Sequence, residues 1–96
     1  MHRIRVYTRP GCGWCGAVKS LLRKHSYMYR EVRIDEDDAA MRFLAQQLAF
    51  SVPQVFVGDR RVGGYEATVE AIISGEFQRL LDEERAEAPL VEQHAS

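Results

Sequence analysis

The residues of this sequence best suited to chemistry are its two cysteines, Cys12 and Cys15. They are separated by a glycine and a tryptophan in the stretch RPGCGWCG, residues 9–16. A short apolar run leads into this stretch, and a helical pattern of apolar residues leaves it. A Cys-x-x-Cys pair between a strand and a helix, near a β-α-β pattern, is typical of a redox-active dithiol. The pair therefore predicts thiol–disulfide chemistry.

Cys12 is predicted to be the attacking thiol of the pair. It stands at the start of the predicted helix, where unpaired N–H groups and the positive end of the helix dipole favour the thiolate form of a cysteine. Arg9 precedes the motif and Lys19 lies about two turns along the helix, so both can add positive potential. Cys15 lies almost one turn behind Cys12, and we expect it to be the less exposed, resolving thiol.

Two other uses of the cysteines are less consistent with the sequence. A structural disulfide across two intervening residues would close a very short loop, so it would remove little entropy from the unfolded chain. A zinc site needs about four ligands, and the sequence has no second cysteine pair. The fold would have to recruit His2, His25 or His94, which we interpret as surface residues. Redox chemistry therefore remains the leading interpretation.

Hydrophobic periodicity and turn residues predict one α/β domain with the order β-α-β-α-β-β-α-α. A β-α-β unit requires parallel strands and a crossover, whereas Gly58-Asp59 predicts an antiparallel hairpin. We therefore expect a four-stranded mixed sheet flanked by helices on both faces. The domain is predicted to span residues 1–85, followed by a polar, flexible tail at 86–96. The predicted strands are residues 3–8, 27–34, 54–57 and 61–63, and the predicted helices are residues 12–25, 39–48, 64–74 and 76–85.

Composition and charge limit the other classes of function. Hydrophobic residues make up 46% of the chain and charged residues 28%, as in an ordinary globular domain. The formal net charge is −1, so no polycationic surface for nucleic acid is expected. No stretch approaches the ~20 apolar residues of a membrane span, and no signal-peptide pattern is evident. We therefore expect a cytoplasmic protein, in a compartment where paired cysteines are more often catalytic or metal-binding than structural.

Two downstream segments could complete a ligand site around Cys12. Val52-Pro53 precedes an apolar strand, and a cis bond there would turn the Val52 backbone towards a peptide-like ligand, although most X-Pro bonds are trans. Gly63-Gly64-Tyr65-Glu66 opens a predicted helix. Backbone N–H groups at a helix start bind carboxylates and glycine permits close approach, but the same residues suit an ordinary tight turn. The residues alone do not decide whether the Val52–Pro53 bond is cis, or whether the segment at 63–66 binds a carboxylate.

Taken together, these motifs resemble the glutaredoxin family, with matching order and spacing over residues 4–81. The resemblance implies a thioredoxin-like fold with Pro53 in cis. It also implies a glutathione-dependent thiol–disulfide oxidoreductase that reduces protein disulfides and glutathione mixed disulfides, with Cys12 as the nucleophile and Cys15 as the resolving cysteine. The segments that carry it are Val6-Tyr7-Thr8-Arg9, Cys12-x-x-Cys15, Lys19, Val52-Pro53-Gln54-Val55-Phe56-Val57 and Val62-Gly63-Gly64.

The same resemblance implies where glutathione would bind. The backbone of Val52 would pair with the cysteine of glutathione. Arg9 stands where the family often has a lysine for the glycine carboxylate, and the helix start at 64–67 would receive the γ-glutamyl carboxylate. The ligand-binding residues predicted in this way are Arg9, Trp14, Val52, Pro53, Gly64, Tyr65 and Glu66.

The active-site sequence departs from the family's usual Cys-Pro-Tyr-Cys, which keeps alternatives open. Gly13 replaces the proline, Trp14 replaces the tyrosine, and Glu66 falls where the family tends to have aspartate. Glutathione could therefore bind more weakly, and another low-molecular-weight thiol or a thioredoxin reductase could donate the electrons. Glycine after the first cysteine also resembles glutaredoxins that bridge a [2Fe–2S] cluster between two subunits, through Cys12 and two glutathiones. We expect a monomer unless a cluster is bound, and a dithiol that only senses oxidation is a third interpretation.

Overall fold

A computed structural model describes the backbone of residues 3–95 and the side chains of residues 3–86. The elements of this part of the chain follow the predicted order β-α-β-α-β-β-α-α. None of its helices is both long and apolar enough to cross a membrane. The elements are β1 (Ile4–Thr8), α1 (Gly13–Lys24), β2 (Tyr29–Arg33), α2 (Asp38–Gln46), β3 (Gln54–Val57), β4 (Arg60–Gly63), α3 (Tyr65–Ser74) and α4 (Glu76–Ala95).

Local sequence signals explain where the first two helices begin. Cys12 is the N-cap residue of α1, and its sulfur accepts a hydrogen bond from the N–H of Cys15. Two basic residues in the last turn of α1 complement the negative end of its dipole. Asp37 caps α2, because its carboxylate accepts a hydrogen bond from the N–H of Ala40 at 3.0 Å.

The four strands form one mixed sheet in the order β2-β1-β3-β4. As predicted, β1 runs parallel to β2 and β3 is antiparallel to β4. The structure also pairs β3 with β1 in the antiparallel direction. The register sets Tyr7, near the end of β1, opposite Gln54, at the start of β3. The loop after β1, which carries Cys12, therefore meets the loop before β3, which ends in Pro53.

Helices cover both faces of the sheet, and a separate apolar core fills each side. Because side chains alternate along a strand, neighbouring residues of β1 serve opposite cores. The loops at this edge of the sheet are therefore anchored from both faces. The first core, beneath α1 and α4, comprises Ile4, Val6, Val18, Leu22, Val55, Val57, Phe77, Leu80 and Leu81. The second, beneath α2, comprises Tyr7, Val32, Ala40, Leu44, Ala49 and Phe56.

The second helix ends earlier than its apolar spacing predicted. It stops at Gln46 rather than at residue 48, and Leu48 adopts a left-handed φ of 57°. This turn reverses the chain, so the N–H of Ala49 bonds the carbonyl oxygen of Leu44 at 2.9 Å and Ala49 enters the core at 5% exposure. A left-handed residue after a helix is a common way to satisfy its last carbonyl groups.

The last helix runs further than predicted, to Ala95 rather than Arg85. Its second half, residues 86–95, contains three alanines, two glutamates, a glutamine and a leucine, which favour helix strongly enough to extend the element despite Pro89. Ser96 lies outside the described residues. The flexibility expected of residues 86–96 stays a prediction.

Candidate active site

Cys12 and Cys15 form a disulfide at the start of α1, with their Cα atoms 5.3 Å apart. Cys12 is partly exposed, whereas Cys15 is only 3% exposed, so an incoming disulfide can reach the first sulfur far more easily than the second. The N–H of Cys15 donates to the Cys12 sulfur at 3.2 Å, and the first turn of α1 holds no acidic side chain. A thiolate at Cys12 would therefore meet a backbone donor and the positive end of the helix dipole.

The loop before β3 brings Val52 against the cysteine pair. The carbonyl oxygen of Val52 lies 3.7 Å from the Cys12 sulfur. The Val52–Pro53 bond is cis, as the family resemblance implied. Gln54 secures this loop, because its side-chain amide donates to the carbonyl oxygen of Ser51 at 2.9 Å. Cys12 and the backbone of Val52 thus form the centre of the site.

A cleft of about 210 Å³ opens on the α3 side of Val52. The rings of Trp14 and Tyr65 contact each other in its wall, with centroids 5.2 Å apart, and Trp14 remains 62% exposed. Six of the seven predicted ligand-binding residues line this one cleft. We name it the α3-side cleft, and its lining residues are Trp14, Ser51, Val52, Pro53, Gly64, Tyr65 and Glu66.

The start of α3 closely approaches the loop that carries Pro53. Gly64 is the N-cap residue, and no side chain caps the first N–H groups of the helix. A Cβ atom added to Gly64 would lie 3.6 Å from the carbonyl oxygen of Pro53. Free N–H groups at a helix start bind carboxylates. However, Glu66 places a negative charge in the first turn, so it would compete with an incoming anion for the helix dipole.

Thr68 supports this helix start, and our sequence reasoning missed it. Its side chain is fully buried, and its hydroxyl donates to the carbonyl oxygen of Gly64 at 2.7 Å. Gln54 supports the opposite side of the cleft through its hydrogen bond to Ser51, whereas the sequence indicates Gln54 only as part of the segment at 52–57. The available signal for Thr68 was its spacing of one helical turn from Gly64, which allows a hydroxyl to reach that carbonyl.

A second hollow, of about 340 Å³, opens on the α2 side of Val52. It shares Ser51 and Val52 with the α3-side cleft, but its remaining lining is mainly apolar. Arg9, the seventh predicted ligand-binding residue, lines this hollow and so lies across Val52 from the other five. We name it the α2-side groove, and its lining includes Arg9, Met41, Leu44, Phe50, Ser51 and Val52.

Lys19 is not a free cation beside Cys12, in contrast to the expectation from spacing. Its ammonium group donates to both carboxylate oxygens of Glu31, at 3.1 and 3.2 Å, and the Thr8 hydroxyl donates to the same carboxylate at 2.7 Å. The Thr8 hydroxyl, followed by Lys19, holds the pKa of Glu31 below its usual value. The positive potential expected from Lys19 is therefore largely offset by a carboxylate of β2.

Comparisons with known proteins agree with this geometry. A family model described as Glutaredoxin matches residues 4–62, from β1 into β4. Glutaredoxin-C4 of Arabidopsis thaliana is 31% identical over 84 residues, covering 83% of this chain and 62% of that protein. Hybrid peroxiredoxin hyPrx5 of Haemophilus influenzae is 33% identical over 61 residues, which cover 64% of this chain but only 25% of that longer relative.

A solved structure shows the same fold. The buckwheat glutaredoxin–glutathione complex has a TM-score of 0.72 and 27% identity to this chain, with 84% of this chain and 77% of that one covered. The predicted thioredoxin-like fold is thereby confirmed. Sequence, fold and the disulfide at the start of α1 lead to one conclusion: the chain belongs to the glutaredoxin family of thiol–disulfide oxidoreductases.

Proposed function

We propose that this chain reduces protein disulfides and glutathione mixed disulfides with electrons from glutathione. The observation that carries the proposal is the position of one accessible sulfur, that of Cys12, beside Val52, where the α3-side cleft and the α2-side groove meet. The related buckwheat structure is a glutathione complex, which supports a glutathione ligand here. A reducing, cytoplasmic location fits this reductant and stays a prediction.

In this proposal each of the three residues of glutathione has a partner in the site. Its cysteine would pair with the Val52 backbone, which lies beside the Cys12 sulfur. Its γ-glutamyl carboxylate would accept hydrogen bonds from the uncapped N–H groups that follow Gly64. Its glycine carboxylate would face Arg9 in the α2-side groove. The Trp14 and Tyr65 rings would contact the γ-glutamyl portion.

Cys12 is the nucleophile in this proposal. Its thiolate attacks the glutathione sulfur of a mixed disulfide, the substrate S–S bond breaks, and the protein leaves as a thiolate that takes up a proton. A second glutathione thiolate then attacks the adduct on Cys12, which releases glutathione disulfide. On a protein disulfide, Cys15 instead attacks Cys12 and displaces the substrate. Two glutathiones then reduce the resulting Cys12–Cys15 disulfide and become glutathione disulfide.

Cysteine variants test these roles. Cys12→Ser should abolish reduction of a glutathione mixed disulfide, because a serine hydroxyl cannot carry out the exchange. Cys15→Ser should keep that activity and lose most of its turnover on protein disulfides. Retained activity in Cys12→Ser would overturn the assignment. Parallel assays with thioredoxin reductase test the reductant, and turnover with the reductase but none with glutathione would reject glutathione.

The [2Fe–2S] alternative requires more than one chain. Among the described residues, no group of three or more His, Cys, Asp and Glu side chains could hold a metal ion. A complete thiolate set would therefore need Cys12 from two chains and two glutathiones. A side chain at Gly13 would meet nothing within 4 Å, so there is room beside Cys12 for such an assembly. Anaerobic reconstitution that yields a coloured dimer would support this alternative, and a colourless monomer would count against it.

A further inference from the structure

The α2-side groove exposes apolar side chains beside the reactive disulfide. Phe50 is 80% exposed and Met41 is 50% exposed, and both line the groove. Single exposed apolar residues are normal on protein surfaces, but neighbouring ones beside a functional site mark binding surfaces. In this groove glutathione is proposed to contact only Val52 and Arg9, so it does not account for the exposed side chains of Phe50 and Met41.

The loop that presents Phe50 is held in an unfavourable conformation at Leu48. Leu48 has a left-handed φ of 57° and a side chain that is 73% exposed. Glycine or asparagine usually occupies such a position, because a Cβ atom is disfavoured there. Core packing explains the buried Ala49, but it does not explain apolar side chains at Leu48 and Phe50 on either side of it. Unfavourable local features of this kind are characteristic of functional surfaces.

The groove is continuous with the reactive centre and carries one positive charge. It includes Val52, whose carbonyl oxygen lies 3.7 Å from the Cys12 sulfur. Arg9 is the charged residue of its lining. None of the ion pairs formed among the side chains of residues 3–86 involves Arg9. A ligand that enters the groove from Cys12 therefore meets an apolar surface and a guanidinium group that forms no ion pair with the side chains of residues 3–86.

We propose that the α2-side groove docks an extended segment of a protein substrate that carries a large apolar side chain and a carboxylate beside its reacting cysteine. This deepens the proposed function and rests on Cys12 as the nucleophile. The apolar side chain would cover Phe50 and Met41. The carboxylate would pair with Arg9 before glutathione binds, at the position proposed for the glycine carboxylate of glutathione. Burial of apolar area would supply most of the selectivity, and the charge pair would add orientation.

The groove acts while the substrate is covalently held. The Cys12 thiolate attacks one sulfur of the substrate disulfide, forms a mixed disulfide with it, and releases the other sulfur as a thiolate. The Cys15 thiolate then attacks Cys12 and releases the first substrate sulfur. Two electrons have passed from the enzyme dithiol to the substrate, and the enzyme disulfide remains. Glutathione takes no part in these steps, so docking can be tested without it.

The test is a single-turnover reaction of protein that has been reduced chemically and freed of reductant. The probes are a short peptide disulfide with leucine and aspartate beside the reacting cysteine, the same peptide with serine and lysine there, and 2-hydroxyethyl disulfide. Each is reacted with wild type, with Phe50→Ser and with Ile73→Ser. Ile73 lies on α3 and is exposed to the same extent as Phe50, 80%, so Ile73→Ser is a matched control.

We expect wild type to prefer the leucine–aspartate peptide, and Phe50→Ser to slow its reduction about tenfold. Reduction of 2-hydroxyethyl disulfide should be unchanged, and Ile73→Ser should match wild type throughout. Equal reactivity of the two peptides, an equal loss on 2-hydroxyethyl disulfide, or a raised KM for glutathione in Phe50→Ser would overturn the proposal. Selective peptide reduction together with no glutathione-dependent turnover would reject only the proposed reductant.

Discussion

The two hollows that meet at Val52 offer a ligand different chemistry. The α3-side cleft has uncapped backbone N–H groups, a pair of contacting aromatic rings and a helix start held by the buried Thr68. The α2-side groove has exposed apolar side chains and Arg9. Fixed backbone donors suit one small carboxylate ligand, whereas an apolar surface tolerates varied side chains. The difference shows how one accessible sulfur could serve both a small thiol and a polypeptide.

The adjacent glycines at the entrance to α3 should respond very differently to substitution. Gly63 has a φ of 121°, and an added Cβ would lie 3.0 Å from that of Ala67. Gly63→Ala should therefore destabilise the fold by about 2 kcal/mol. Gly64 has a φ of −84°, which alanine tolerates, so Gly64→Ala should cost under about 1 kcal/mol. Urea unfolding of both variants measures this difference.

Gly64→Ala also tests the α3-side cleft directly. The new methyl group would lie between the helix start and the carbonyl oxygen of Pro53, where the γ-glutamyl carboxylate is proposed to bind. The KM for glutathione should rise severalfold, while single-turnover reduction of a peptide disulfide should be unchanged. An unaltered KM in a well-folded Gly64→Ala protein would place the carboxylate elsewhere.

Removing the negative charge at the start of α3 should strengthen glutathione binding. Glu66 lies in the first turn of α3 and lines the α3-side cleft. In Glu66→Gln no side-chain charge would compete with the ligand carboxylate for the helix dipole and the uncapped N–H groups. The KM for glutathione should therefore fall about two- to fivefold. Glu70→Gln, an exposed change one turn further along α3, serves as the control. Equal effects of the two variants would indicate only a change in net charge.

The smallest effect concerns the carboxylate that neutralises Lys19. Hydrogen bonding by Thr8 and Lys19 lowers the pKa of Glu31. The ionised Glu31 carboxylate therefore stabilises the fold above the usual carboxyl pKa. This stabilisation is lost as the pH falls through the lowered pKa. Glu31→Gln should therefore destabilise the protein at about pH 7, by less than about 1 kcal/mol since the side chain is 34% exposed. The difference from wild type should shrink below about pH 4. Thr8→Val should reduce this pH dependence, and urea unfolding against pH measures both.

Much of the fold could be predicted because its signals are local. The Cys12 N-cap, the Asp37 cap and the hairpin at Gly58 each act within a few residues. The boundary of α2 was wrong because a left-handed turn at Leu48 depends on burial of Ala49 in the core, which is a tertiary effect. Local propensity carries no information about that contact.

The α3-side cleft and the α2-side groove also show what the sequence alone could not predict. Sequence motifs identified the residues of the α3-side cleft, but they did not show that Arg9 lies across Val52 from them. The apolar spacing of α3 favours Val69, Ile72 and Ile73 as its buried face. In the structure Ile73 is 80% exposed, whereas Thr68 is fully buried. The Lys19–Glu31 pair joins α1 to β2, and only the packed fold brings those two residues together.

The central claim is that Cys12, and not Cys15, is the attacking thiolate. The most direct measurement is the rate of alkylation of each cysteine in the reduced, folded protein, followed by peptide mass spectrometry with iodoacetamide as the probe. Cys12 should be modified first at neutral pH, and Cys15 should react at a comparable rate only after unfolding. Modification of Cys15 in the folded protein as fast as Cys12, or faster, would contradict the claim.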